Sequence, residues 1–163
     1  KRRAMSDLPG AWSRHCAAVQ RLLGSLTEGA LADAGAPRER SAGAHLAHVH
    51  SCRRAWVEAA SPALAANVPT VGRTEATDQR VLSEALSLSG EAVGRVLIEA
   101  VERDGRVRGV GLDAPSFMAS LIAHAWYHIG KVDAIVRRAG HAPADDAHYG
   151  LFDWKRPPAA TPE

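Results

Sequence analysis

The sequence predicts an all-α protein, a four-helix bundle, on three observations. Apolar residues recur at helical spacing along almost the whole chain. No run alternates apolar with polar β-branched residues as a half-buried strand does. Breaks at Gly35 to Arg38, at the two prolines of 61–70 and before Gly105 leave four long periodic segments, with little clustering of glycine or proline beyond the chain's ends. Helices of such length bury their apolar stripes by packing on one another. At 163 residues and 46% hydrophobic, the chain can bury one sizeable core and has no room for a second. The expected organisation is an N-terminal tail over 1–8, a single domain over 9–156 and a disordered tail over 157–163.

The first helix is expected from Pro9 to Leu31, with Trp12, Cys16, Val19, Leu23 and Leu26 at helical spacing and Gly24 weakening its middle. Gly35 to Arg38 breaks it. Ser41 is placed to cap a second helix that runs to about Ala60, before "SPALAANVPT" (61–70) interrupts the pattern with two prolines and links across the bundle end. A third helix, from about Ala76 to Arg103, sets Leu82, Leu86, Ser89, Val93, Val96 and Ala100 on one side and ends before Gly105. The fourth begins after Asp113, an N-cap with Pro115 in the first turn, and stops at Gly140. From His141 onward the chain is too rich in proline for another helix. It is expected as an extended C-terminal segment whose Leu151, Phe152 and Trp154 pack over one bundle end.

Charge is nearly balanced at +2, and the only basic run is Lys1 to Arg3, so no nucleic-acid footprint is present. No apolar stretch is long enough to span a bilayer, and the N-terminus lacks the hydrophobic core of a signal peptide. Cys16 and Cys52 suit reduced thiols better than a disulfide framework. These features lead to the expectation of a soluble cytoplasmic protein with neither nucleic acid nor membrane as partner. An apolar patch left by the first and fourth helices would permit a homodimer.

The stretch "LIAHAWYHIGKV" (121–132) places two histidines four apart in an apolar helix. At about 100° per residue, Phe117, Leu121, His124, His128, Val132 and Ile135 fall within one arc, opposite Asp133 and Arg137. Two adjacent imidazoles facing a core cost free energy unless each ring has a partner. Hydrogen bonds are one solution. A divalent cation is another, since residues four apart sit one above the other and both lone pairs are then used. The second helix offers further donors in "SAGAHLAHVHSCRRAWVE" (41–58). His45, His48, Val49, Cys52, Trp56 and Ala59 share an arc, so His45 or His48 can reach the interior, with Cys52 as a thiolate alternative one turn beyond His48. His50 is turned well away and is expected near the surface. The same is expected of His15, His141 and His148, which have no patterned partner.

The segments "AHLAHVHSCRRAWVEA", "LSLSGEAVGRVLIEAVE", "LIAHAWYHIGKV" and "RRAGHAPADDAHYGLFDW" together resemble the DinB family of damage-inducible proteins, within the DinB-like metalloenzyme superfamily. The resemblance covers 41–156 in order. It implies a four-helix bundle with a three-histidine divalent metal site, one ligand from the second helix and two, four apart, from the last. Carried onto this chain, the implied ligands are His48, His124 and His128, and His45 becomes a supporting or packing residue. The sequence departs from the family's usual ending "HEAHHRGQI": Ala125, Trp126 and Tyr127 precede His128, and Ile129 and Lys131 replace the common Arg and Gln.

Three neutral histidines leave coordination positions open, the pattern of a catalytic rather than a structural centre. Ala125 occupies the position of the glutamate in H-E-x-x-H, so the usual general base of a zinc protease is missing, and Glu58, Glu84, Glu91 and Glu99 read as solvated helix faces. Imidazole donors suit several ions, zinc or nickel being the expected ones. Related branches of the superfamily include transferases of a low-molecular-weight bacterial thiol, so the resemblance implies a small-molecule substrate or thiol as partner. Two readings follow: a metal-dependent hydrolase or thiol S-transferase, or a non-enzymatic metal-binding or stress-response protein whose cation staples two helices. The second would have Cys52 or His45 closing the coordination shell.

Overall fold

The computed structural model describes residues 7–145, 150 and 153. Its helices are α1 (Leu8–Gly24), α2 (Glu28–Ala32), α3 (Ala42–Ala60), α4 (Pro62–Ala65), α5 (Gln79–Glu102) and α6 (Ala114–Arg138), with a 3-10 turn over Glu75–Thr77. No strand occurs among the described residues, so the fold is all-α as expected. The four long helices pack together: α3 lies against both α5 and α6, and α1 against α5. Of the expected N-terminal tail, Leu8 already belongs to α1, while residues 1–6, the C-terminal tail, His148, and the packing of Leu151, Phe152 and Trp154 fall outside the described residues.

Two caps expected from sequence are present. Ser41 accepts a bond from the Ala44 amide at 3.2 Å, and Asp113 one from the Ser116 amide at 2.7 Å. Each satisfies a backbone donor that an uncapped first turn would leave unpaired. The helix expected over Pro9–Leu31 instead stops at Gly24. The chain turns, and Thr27 caps α2 by accepting from the Ala30 amide. Gly24, where sequence placed a weak middle, ends the helix, and the Gln79 amide closes the break by donating to the Leu23 and Leu26 carbonyls at 2.8 and 2.7 Å. The third helix starts a few residues later than expected, at Gln79, because Asp78 caps it after the 3-10 turn. The 61–70 linker contains the short α4 and folds back along α3.

Two apolar clusters make the core. One gathers Val19, Leu22, Leu46, Val49, Leu82, Leu86, Ile129 and Val132, and the other Trp12, Val57, Val93, Val96, Phe117 and Leu121. On each long helix a polar residue falls between members of the two clusters: His15 on α1, Arg53 on α3, Ser89 on α5 and His124 on α6. The bundle therefore carries a polar layer across its middle, and the histidines of α3 and α6 lie at its edge.

Candidate metal centre

Helix α3 faces the core with Leu46, Val49, His50, Arg53 and Val57, while His45, His48 and Cys52 occupy the flank toward α6 and are half-buried. The arc drawn from sequence through Trp56 and Ala59 was thus one step off the core face: both of those residues are exposed. On α6, His128 is buried and His124 half-buried. Because α3 and α6 pack side by side, His48, His124 and His128 come together, each offering a nitrogen within 4.8 Å of the others'. Their ring centroids are 4.6 to 5.2 Å apart. No fourth histidine, cysteine or carboxylate joins this cluster among the described residues.

His45, one turn earlier, is spent differently. Its Nδ1 lies 2.9 Å from His128 Nδ1, a contact that orients the His128 ring; with His128 Nδ1–H donating to His45, the Nε2 lone pair of His128 is left for a cation. Tyr127, 63% exposed, meets the His128 ring edge-on at 5.1 Å, and Lys131 Nζ stands 5.7 Å over the Tyr127 ring.

All four imidazoles are held below their ordinary value, chiefly by burial. Arg40 adds to the effect on His45, His48 and His128, Lys131 on His45, and Arg53 on His124. For His128, burial and its histidine neighbours bring the value to about 4. Neutral rings at neutral pH are what metal coordination requires, because a protonated imidazole has no free lone pair. The donor set fits a divalent cation: three neutral nitrogens converge from two helices, and one ring is already oriented. Burial pushes the Cys52 thiol up, with Trp56 and Arg53 pulling against it, so Cys52 is a thiol rather than a ready thiolate.

His50 and His15 correct the sequence reading. His50 points away from the cluster as expected, but it is fully buried, because the 61–70 segment covers that side of α3 and His50 Nε2 bonds the Pro69 carbonyl at 2.8 Å. His15 is also fully buried, 3.2 Å from an Nη of Arg53 and against the Trp12 ring at 5.1 Å. Burial, aided by Arg53, lowers its pKa to about 3. Arg53 itself is 1% exposed. It donates to the Leu86 carbonyl at 3.3 Å and packs on Trp12 at 5.0 Å, while its Nε finds no partner among the described residues. A usable signal for Arg53 was its place on the Leu46–Val49–Val57 stripe, and for His15 its place between Trp12 and Val19. His141 is exposed as expected and pairs with Asp33 at 2.7 Å.

A family model of the DinB family matches residues 7–158. The chain belongs to the DinB family. No curated protein and no solved structure matches it. Within this DinB protein the carboxylates set aside from sequence are remote from ligand duty. Glu58 and Glu84 pair with Arg54 and Arg80, Glu91 accepts from Ser87, and Glu99 is exposed. No helix of the described residues is long and apolar enough to cross a membrane.

Proposed function

We propose that this DinB protein is a metal-dependent enzyme whose centre accepts an exogenous small-molecule thiol, with S-transfer as its reaction. His48, His124 and His128 hold one divalent cation, zinc or nickel by donor type. The observation that carries the reading is the unfilled donor set. Three neutral imidazoles converge on a half-exposed edge, His45 is engaged with His128, and Cys52 stands outside the cluster. Bound there, the cation supplies a Lewis acid that keeps a thiol sulfur deprotonated at neutral pH.

S-transfer is favoured over hydrolysis by what surrounds the histidines. Hydrolysis asks for a group to take a proton from water, and Glu58, Glu84, Glu91 and Glu99 are all on solvated faces. Thiol transfer asks for none once the sulfur is deprotonated. The protein's own part is then to orient and to shield: His45 fixes the His128 ring, while Tyr127 and Trp56 offer exposed rings on the α3 and α6 edge.

The test is cobalt substitution. Small thiols should perturb the visible spectrum of the cobalt-loaded protein, and Cys52→Ser should leave cobalt affinity unchanged. A Cys52→Ser variant that loses cobalt, together with a wild-type spectrum indifferent to thiols, would instead establish a closed, structural centre. Cytoplasmic residence and independence from nucleic acid are part of the proposal on composition and charge, and a homodimer on the apolar patch expected from the first and fourth long helices.

A further inference from the structure

The end of α6 is fastened to the start of α3 by a strap of directional bonds. Gly140, at φ 81°, lets the chain turn back over the last turn of α6, where its amide bonds the Arg137 carbonyl at 3.2 Å and the His141 amide bonds the Val136 carbonyl at 2.8 Å. That closure holds His141 against the helix end. His141 Nδ1 donates to Asp33 Oδ2 at 2.7 Å, and the Asp33 side chain is 18% exposed, so water competes little for the bond. Asp33 is itself anchored to α3: its carbonyl accepts from the Ala42 amide at 2.8 Å, beside the Ala34–Ser41 bridge. A second bond runs alongside, from Arg138 Nη1 to the Gly35 carbonyl at 2.9 Å.

We infer that Asp33 and His141 are positioning residues for the metal centre: their strap fixes how far α6 slides along α3, and through that the bond between His45 and His128. The inference rests on the proposed three-histidine centre and is independent of its reaction. Helices α3 and α6 run antiparallel, since His45 meets His128 while His48, a turn later, meets His124. The strap therefore closes the pair at the His45–His128 end. Among the long helices α6 packs chiefly on α3, and Val132 and Val136 sit in the apolar cluster beside the strap. Apolar contact of that kind sets a distance between helices but has no direction. Hydrogen bonds weaken steeply with length and angle, so the strap supplies the axial register that the apolar packing does not. A slide of about 1 Å at this end would carry the 2.9 Å contact between His45 and His128 beyond bonding range and free the His128 ring to turn.

Cobalt binding is followed in the visible spectrum for wild type, Asp33→Ala, Asp33→Asn, His45→Ala and the Asp33→Ala, His45→Ala double variant, and the metal-free stability of each is measured by urea unfolding. Asp33→Ala should weaken cobalt about three- to tenfold and alter its spectrum, while Asp33→Asn, which keeps an oxygen for His141, should recover most of the loss. With His45 already removed, Asp33→Ala should cost clearly less, because the bond it acts through is gone. Gly140→Ala strains the same strap from the α6 side, where a Cβ meets nothing within 4 Å but φ is 81°, and should weaken cobalt likewise. Asp113→Ala, which uncaps the far end of α6, should lower stability and leave cobalt affinity unchanged. An Asp33→Ala protein that binds cobalt as wild type does, or loses as much affinity without His45 as with it, overturns the role of the strap. So does an Asp113→Ala protein weakened to the same degree, since the loss would then follow stability alone. Wild type that takes up no cobalt overturns the three-histidine centre, and the role of the strap with it.

Discussion

His45 and His48 lie three residues apart on one helix face, and only one of them joins the three-histidine cluster that could hold a metal ion. His45→Ala should keep the cation but weaken it about 10–100-fold, because His128 loses the bond that orients its ring. His48→Ala should lose it, and His50→Ala should keep it while destabilising the fold by about 1–3 kcal/mol through the lost Pro69 contact. Metal titration paired with denaturant unfolding separates the three. The histidine spacing was legible in the sequence because four-residue steps stack side chains on a helix. The burial of His50 was not, since the segment that covers it comes from beyond α3. His15 illustrates the same limit and adds a pH dependence. Its folded pKa of about 3 lies below the ordinary 6.5, so the unfolded chain takes the proton first. Stability is therefore complete above about pH 6.5 and is lost as pH falls toward about 3. His15→Gln keeps an acceptor for Arg53 and removes the titration. Its unfolding midpoint should fall less between about pH 7 and about pH 4 than that of wild type.

Helix α3 is the element on which fold and site meet. Its first turn admits no side chain at Gly43, where a Cβ would collide with the Ala76 carbonyl and press on the Leu31 carbonyl at 3.1 Å. Gly43→Ala should therefore cost about 1–3 kcal/mol or more, since both obstacles are backbone and α3 must shift to accept it. Ser41→Ala, which removes only the cap, should cost about 1 kcal/mol. Chemical denaturation of the two variants ranks them, and a Gly43→Ala protein as stable as wild type would contradict the packing described. The starts of α3 and α6 were readable because Ser41 and Asp113 are strong local signals. The end of α1 was not, because Leu26 and Leu31 continue the apolar pattern after the backbone has turned at Gly24, and only tertiary contacts such as Gln79 on the α1 carbonyls reveal the break.

At the scale of the whole molecule, the polar layer between the two apolar clusters joins the site to the bundle. Arg53 at its centre is a buried cation without a carboxylate partner among the described residues, and its charge reaches His124. Such a charge is costly to bury. Arg53→Met should leave the fold as stable or more so, in contrast to the usual penalty for a core substitution, and thermal unfolding would register it. The layer was hidden in the sequence because each of its members sits singly in an otherwise apolar stripe, on four different helices. A cation held by His48, His124 and His128 would also clamp α3 to α6, so metal at about 100 times its Kd should add about 2.7 kcal/mol to stability. The most direct measurement is the zinc content of stripped protein after reloading and dialysis, compared between wild type and a His124→Ala, His128→Ala double variant that retains its helical circular dichroism. One ion per chain in wild type and none in the variant is the predicted result. One ion per chain in both would contradict the three-histidine centre.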